Sequence, residues 1–549
     1  MQAYFYKRIF ILFIICYAAF LYGNNLVSLT DPDEVFYSLT AKEMAAKNEW
    51  LTPFIFDHPQ FEKPVLTFWL IEIAFKAWGE NPFTARFFPA LFGTLGVMAV
   101  YAIGLIGFKD ERKAFFSALV LATSAFFVGM GKTVFTDMIF TVFILYALTL
   151  FMLGFTDRRW RGAGFIGFYL FSALATLTKG PLGWLLPQLI VILFLLYQRQ
   201  INLLRNRWVA GGFLLFLALT LPWYSYMIGH YGQAFIQEFF TNDHWRRLLT
   251  AEHKGNDHWF FYPATMLAGF FPWSLFLAAA MVDMYRRLKN TVTSMDHLLL
   301  SWILVVFVVF QIAHSKLASY ILPLFPALAL MTGNYLGNCL SEGYQRKKIQ
   351  NLIRACFIML AFIGIVPVSA QHLLRHYISS QSPVYFLSGS LIAVAGIGMT
   401  LSLKEHIEPA LYVLAMSLCP IFLTAFMIHS DLEGYVSSYE ACEYVPQRSS
   451  GGMTVLTSKA NARGIRYYTG QDVAVVDFGG KPFFSPHPIV TLDSKDKMAA
   501  LLEHQPVTFG VVRKSVYQSL LKDFSNHFRI ILLKNIGYDY VVRINKINT

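Results

Sequence analysis

A polytopic α-helical membrane protein with a small α/β domain at its C-terminal end is the fold this sequence predicts, on three observations. Of its 549 residues, 56% are hydrophobic and 14% charged, against about 45–50% and ~25% in soluble domains. Apolar runs of roughly 17–22 residues recur along most of the chain, each long enough for a ~30 Å hydrocarbon core, and the ~10-residue alternation of a barrel is absent. Basic residues gather in small clusters that fall in alternate loops, the positive-inside pattern.

The first apolar run follows Lys7 and Arg8, and no small-residue cleavage site comes after it, so it reads as a retained span rather than a cleaved signal peptide. Further clusters at Lys109/Arg112/Lys113, Arg158/Arg159/Arg161, Arg199/Arg205/Arg207, Arg286/Arg287/Lys289 and Arg346/Lys347/Lys348 separate the runs that follow. They thread about thirteen spans, at roughly 9–27, 86–107, 114–130, 138–155, 163–178, 183–197, 208–226, 263–282, 298–313, 318–337, 352–370, 384–402 and 408–427. The net charge of +12 is therefore a topology signal, and nucleic acid is not an expected partner. An odd count puts the N-terminus inside and the tail outside. Residues 31–82 and 229–262 become outer loops, together with the edges at 131–137, 178–183 and 314–320.

Within 31–82 two helices are expected. Asp31 suits an N-cap, Pro32 the first helical position, and Glu34 a capping-box acid, with Val35, Phe36 and Leu39 on one apolar side lying along the interface. A second helix from about Pro64 carries Val65, Leu66, Phe68, Trp69, Ile73 and Trp78, with Trp at headgroup level. Residues 1–429 thus form the membrane domain. Residues 430–549 change composition and read as a soluble α/β domain: strands near 453–458, 473–478, 489–492, 509–512, 530–533 and 538–544, and helices near 495–504 and 515–524. It shows no Gly-rich phosphate loop. Five cysteines without a CxxC support neither a zinc ribbon nor a disulfide framework.

The chemistry-bearing residues fall on the outer face: Asp33, Glu34, Glu62, Lys63, Asp137, Lys179, Asp243, His244, Arg246, Arg247, Lys316 and Tyr320. Ionisable groups at a membrane edge are costly unless paired or functional. Lys63, Lys179, Arg247 and Lys316 stand on the wrong side for topology. Cations converging there suit a phosphate or diphosphate. Carboxylates beside them suit a general base or a divalent metal. Asp33, Glu34 and Asp137 also fit helix N-termini through the dipole alone, and Lys179 fits a snorkelling side chain.

Several stretches together resemble the lipid-linked aminoarabinose transferase family, lipid A-modifying membrane glycosyltransferases related to the protein O-mannosyltransferases. They are Asp31-Pro-Asp-Glu-Val-Phe-Tyr37, Trp50-Leu-Thr-Pro53, Phe61-Glu-Lys-Pro64, Thr178-Lys-Gly-Pro181, Leu221-Pro-Trp223, Asp243-His-Trp-Arg-Arg247, His258-Trp-Phe-Phe-Tyr-Pro263, Phe271-Pro-Trp273 and Ser315-Lys-Leu-Ala-Ser-Tyr-Ile-Leu-Pro323. The resemblance implies a GT-C fold with about thirteen transmembrane helices, in a bacterial inner membrane with the site and the C-terminal domain on the periplasmic side. It implies a monomer that moves a sugar, aminoarabinose by family default, from undecaprenyl phosphate to lipid A or another membrane-proximal acceptor, with inversion. Catalytic roles fall to Asp33, Asp137 and Glu62, and donor-phosphate contacts to Lys63, Arg247, Lys179, Tyr320 and Lys316. A divalent metal on Glu62 and His244 is implied, and no nucleotide cofactor. Two departures stand out: Asn242 replaces a His sometimes found there, against a Glu–His metal site, and Ala318 replaces the usual Pro.

Two other readings are a mannosyltransferase-like enzyme with a Ser/Thr acceptor and a lipid flippase or transporter. A transporter calls for polar residues at mid-bilayer and broken helices in repeated halves, whereas these charges crowd one interface. The threading makes a direct prediction: a reporter fused after Thr549 that works only in the cytoplasm is silent, and a periplasmic reporter is active. The opposite pattern inverts the topology.

Overall fold

Backbone polar groups in lipid must be satisfied within their own segment, so each apolar run has the helix as its solution. The computed structural model describes residues 2–251, 254–341, 346–448, 452–478 and 488–547, without the side chains of 2–5, 244, 254 and 341. All thirteen expected segments coincide with helix. Among the described residues, however, seven helices are long and apolar enough to cross a bilayer, or nine if each of two bent pairs is one span. The other expected spans are shorter, bent or interrupted helices. The segments at 9–27, 163–178, 183–197 and 318–337 are helical but short, less apolar, or interrupted by π or 3₁₀ turns. The segment at 263–282 is not straight: Phe261–Gly269 and Ser274–Asn290 meet at 112°, across a break holding Pro272, which has no N–H to continue the ladder.

The loop that leaves the first helix folds as the helix Asp33–Lys47, a hairpin of β1 (Phe54–Ile55) and β2 (His58–Pro59), and the helix Leu66–Trp78. Two details differ from expectation. Pro32, not Asp31, occupies the N-cap, and the Asp31 carboxylate instead accepts hydrogen bonds from Ser438 N (2.8 Å) and Oγ (2.7 Å) in the C-terminal domain. The first helix is also not one-sided. Glu34 through Ala41 are buried without interruption, because the helix lies between the membrane body and the C-terminal domain.

Glu34 is the centre of this region. It is fully buried and reaches back to Thr30 N (3.0 Å) and Oγ1 (2.9 Å) and across to Val134 N (2.9 Å). Arg86, one turn into the helix Pro82–Phe108, donates to both of its oxygens (2.8 and 2.5 Å) and to the carbonyls of Asn24, Val27 and Ser28. All five guanidinium N–H groups therefore have an acceptor, the condition under which a buried ion pair is tolerated.

The C-terminal domain carries a six-stranded sheet of β3 (Thr454–Thr457), β4 (Asp472–Val476), β5 (Val490–Leu492), β6 (Val507–Arg513), β7 (Phe528–Ile536) and β8 (Asp539–Lys546), in the order β5-β4-β3-β6-β8-β7. β5, β4, β3 and β6 run parallel, and β6, β8 and β7 pair antiparallel. The helices Lys495–His504 and Lys514–Phe524 lie where the sequence places them, but the helix Ala462–Thr469 was not anticipated. This helix docks the domain. Arg466 pairs with Glu43, Asp57 and Asp472, Lys42 donates to Tyr467 O (3.1 Å), and the Arg463 guanidinium lies 4.8 Å from the Phe36 ring centroid. Gly464 permits the approach, since a Cβ there would meet Ser438 Oγ at 2.0 Å and the Asp31 carboxylate at 2.5 Å.

Arg86→Met leaves the Glu34 charge buried without its partner, and a loss of about 3–5 kcal/mol is expected. The double variant Glu34→Gln/Arg86→Met removes both charges and recovers part of that loss. Thermal unfolding of the purified protein in detergent checks the order of the three proteins.

Candidate active site

Each candidate side chain stands at the end of a helix or in a turn on the same side of the helical body. Lys63 lies in the turn between β2 and the helix Leu66–Trp78, Asp137 in the first turn of Thr136–Thr156, and Lys179 at the last position of Arg161–Lys179. Asp243 belongs to the π-helical stretch Ile236–Arg246, Arg247 follows it, and Tyr320 sits in the 3₁₀ turns Ala318–Leu324. The four-residue spacing of Asp243 and Arg247 puts Arg247 Nε 3.1 Å from Asp243 Oδ1. Lys63 Nζ donates to Asp243 Oδ2 (2.7 Å) from the other side. Arg247 Nη1 donates to Tyr320 OH (3.0 Å). Lys179 donates to Asp137 and lies 4.5 Å from the Tyr320 ring centroid. Three cations thus meet two carboxylates, an excess of one positive charge.

Lys63, Lys179, Arg247 and Tyr320 border a cavity of about 420 Å³ whose other walls include Leu182, Leu185, Val309 and Phe310. Val309 also borders a second groove of about 400 Å³, lined by Leu189, Ile192, Leu193 and Leu196 of one helix and Leu304, Val305 and Val308 of another. A charged head site therefore opens beside a purely aliphatic trough between two membrane helices.

Behind Lys63 the chain faces a different pocket, of about 360 Å³, bordered by His58, Gln60, Glu62 and Glu238. Burial, followed by the charges of Glu62 and Asp243, pushes the Glu238 carboxyl up to about 7. Tyr37 is buried, and burial followed by the charges of Asp137, Asp33 and Glu62 holds its phenol well above the ordinary range, so it is a neutral donor among acids. Sequence reasoning gave no role to Glu238 or Tyr37. Glu238 carried no pattern, and Tyr37 stood inside a quoted motif as one of 28 tyrosines.

The remaining expected residues are placed as follows. Asp33 is exposed at the first position of its helix, within electrostatic reach of Tyr37, and is not on the cavity wall. Lys316 is turned away from the cavity, where its ammonium meets Asp257 Oδ1 (2.6 Å) and Ala313 O (2.8 Å); its neighbour Ser315 borders the cavity instead. The expected phosphate contact from Lys316 is corrected to a loop-tying ion pair. The side chain of His244 lies outside the described residues. Among the described residues no three His, Cys, Asp or Glu side chains stand together to hold a metal ion. Among the described residues, Glu62 shares its pocket with His58 and Glu238.

A family model described as dolichyl-phosphate-mannose-protein mannosyltransferase matches residues 62–226. An undecaprenyl phosphate-alpha-4-amino-4-deoxy-L-arabinose arabinosyl transferase of Pseudomonas fluorescens is 28% identical over 418 residues, 73% of this chain and 69% of that one. A protein of the same description from Erwinia tasmaniensis is 27% identical over 76% of this chain and 75% of its own. Among solved structures, ArnT from Cupriavidus metallidurans bound to undecaprenyl phosphate superposes with a TM-score of 0.78 at 18% identity, covering 99% of this chain and 98% of that one. The archaeal oligosaccharyltransferase AglB from Archaeoglobus fulgidus gives 0.51 at 12% identity, covering 93% and 69%. The chain is thus similar to the aminoarabinose transferases, the family its motifs resemble, and its fold is GT-C.

Glu238 generates a pH prediction. The native state holds its proton up to about pH 7, while an unfolded chain releases it near 4.5, so the native state is destabilised as pH rises through that interval. Glu238→Gln removes the ionisation. Its gain in Tm over the parent protein is expected to be larger at pH 8 than at pH 5, and an equal difference at both overturns the assignment.

Proposed function

We propose that this multi-pass membrane protein is a glycosyltransferase that takes a sugar from a polyprenyl phosphate and delivers it to lipid A or a related acceptor at the periplasmic face of the inner membrane. The observation that carries the reading is the placement of Lys63, Lys179 and Arg247 at one membrane edge, with an aliphatic groove leading away from them. A polyprenyl-phosphate donor needs this pair of environments: cations for the head and a dry trough for the tail. Relatives of this chain are named for undecaprenyl-phosphate-linked aminoarabinose, which supports that donor here.

The reaction follows from the charges. The acceptor oxygen attacks the anomeric carbon from the side opposite the phosphate. The bond from that carbon to the phosphate oxygen breaks, and its electron pair leaves with the lipid phosphate. Negative charge therefore grows on the phosphate in the transition state. Lys63 and Arg247, held by Asp243, and Lys179, held by Asp137, are already arranged around that position, so little reorganisation is needed as the charge develops. Tyr320, which accepts from Arg247, keeps a hydroxyl beside the same oxygens. Direct displacement inverts the sugar anomer. A phosphate acceptor on lipid A arrives ionised and needs no base, leaving Asp33 to orient it. A hydroxyl acceptor must lose a proton, and Asp33 is the exposed carboxylate available to take it.

A Ser/Thr acceptor is the second reading, favoured by the family model that matches residues 62–226. Mass spectrometry of lipid A from cells with and without the protein decides between them: a sugar-sized mass shift that depends on the chain supports the first, and unchanged lipid A with newly glycosylated protein supports the second. On the purified enzyme, Lys63→Ala and Arg247→Ala should each cost ~1.5–3 kcal/mol or more of charge-assisted bonding to the donor. Normal transfer by both variants removes the cation cluster from the mechanism. Asp33→Asn separates acceptor chemistries: about 10²–10⁴ is lost from the chemical step if Asp33 is a base, and part of the activity survives if it only orients.

A further inference from the structure

One further cavity takes no part in this chemistry. It encloses about 460 Å³ and lies at the opposite face of the helical body. The helix Pro82–Phe108 runs from the Glu34–Arg86 pair to this cavity, and its 27 residues span about 40 Å. The walls come from the end of that helix, from Lys113, from the last turns of Ser274–Asn290, from the turn that starts Ser294–Ile312, and from Asn334 and Asn338 of Phe325–Ser341.

The charges in this cavity are unevenly satisfied. Arg287 is held by Asp283 and, through Nε at 3.0 Å, by Asp296. Asp296 is further engaged by Thr293 in a capping box. Lys113 and Arg286 border the same space and have no acidic partner among the described residues. Asn334 is 5% exposed and makes no side-chain hydrogen bond among the described residues, although it borders the cavity. Asn338, one helical turn on, adds a second carboxamide to the wall. The Asn334 carboxamide therefore faces the cavity and, beside two cations without an acid among the described residues, presents a donor to an acceptor entering from outside.

Positive-inside topology alone does not produce this arrangement. Residues that serve only to set orientation extend into water, as the exposed Arg286 does, or snorkel to the headgroups, and they call for no buried carboxamide such as Asn334 on the wall of a half-open cavity. The volume falls in the range of about 300–1,000 Å³ typical of small-ligand sites. Two cations and two amide donors match the three acceptor oxygens of a phosphoryl group.

We propose that this cavity binds a phosphate-bearing anion through Lys113, Arg286 and Asn334, as a site separate from the sugar-transfer cavity. The phosphate can belong to the headgroup of an anionic phospholipid or to a free phosphoryl compound.

The test is native mass spectrometry of the full chain in neutral detergent, titrated either with phosphatidylglycerol in mixed micelles or with inorganic phosphate. Three variants are compared with the parent: Lys113→Ala/Arg286→Ala, Asn334→Leu, and Arg158→Ala/Arg159→Ala as a control in another basic loop. Sugar transfer by each variant confirms that it is folded, and Asn334→Leu gives an independent reading should the double variant fail to fold. The expected result is one saturable ligand, bound at least tenfold more weakly by both cavity variants and unchanged in the control. Binding of phosphatidylglycerol that inorganic phosphate does not displace identifies a lipid headgroup; saturable binding of inorganic phosphate identifies a soluble ligand. Equal binding by parent, cavity and control variants in both titrations, or no saturable binding by the parent, overturns the proposal.

Discussion

The ion pair between Glu34 and Arg86 is the constraint on which the rest of the site depends. It joins four pieces of chain: the exit of the first helix at residues 24–28, the helix Asp33–Lys47, the helix Pro82–Phe108 and the turn at Val134. Asp33 and Tyr37 ride on the second of these, and Asp137 follows the last by three positions. One buried charge pair thereby sets the separation between the acidic and cationic halves of the site. A hydrophobic contact of the same area would hold these elements together but would not fix their register. Five directed N–H bonds from a rigid guanidinium fix both position and rotation.

The cations of the site would repel one another if left alone. Asp243 and Asp137 prevent this by taking Lys63 and Arg247 on one side and Lys179 on the other. A phosphate entering the cavity offers the same cations a second acceptor without requiring them to move far. The turn Phe61–Pro64 acts as a partition, with Lys63 on the cavity wall and Glu62 in the acidic pocket behind it. The two side chains diverge from this bend, so a single Glu-Lys step serves two compartments.

What could be read from the sequence followed the range over which each signal acts. Apolar length and basic loops located all thirteen helical segments, because lipid imposes both locally. The strands of the C-terminal domain were equally visible, since Val, Ile and Leu are concentrated in each. Asp243 and Arg247 could be paired by their four-residue spacing. The partnership of Lys179 with Asp137, 42 positions apart, could not. Arg86 was given no role, since nothing near it in sequence shows that Glu34 is its partner. Asp31 and Glu34 were read as caps because a cap is a local explanation, whereas their real partners, Ser438 and Arg86, are supplied by tertiary structure. Lys316 was misjudged for the same reason, its acid lying 59 positions earlier. The helix Ala462–Thr469 was too short to register as a period.

The docking of the C-terminal domain has a consequence for the order of assembly in the cell. Leu29 and Asp31 bond to Tyr468 and Ser438, which lie 439 and 407 positions later in the chain. At a synthesis rate of about 5–20 residues per second, the first outer loop waits ~20–90 s for those partners to be made. Until then the helix Asp33–Lys47 lacks one of the two surfaces that bury it. A nascent chain therefore exposes an unfinished acidic loop while most of its helices are already in the bilayer. The last hundred residues cover the helix Asp33–Lys47 in time as well as in space, and a ribosome that stops short of them leaves an embedded but incomplete protein.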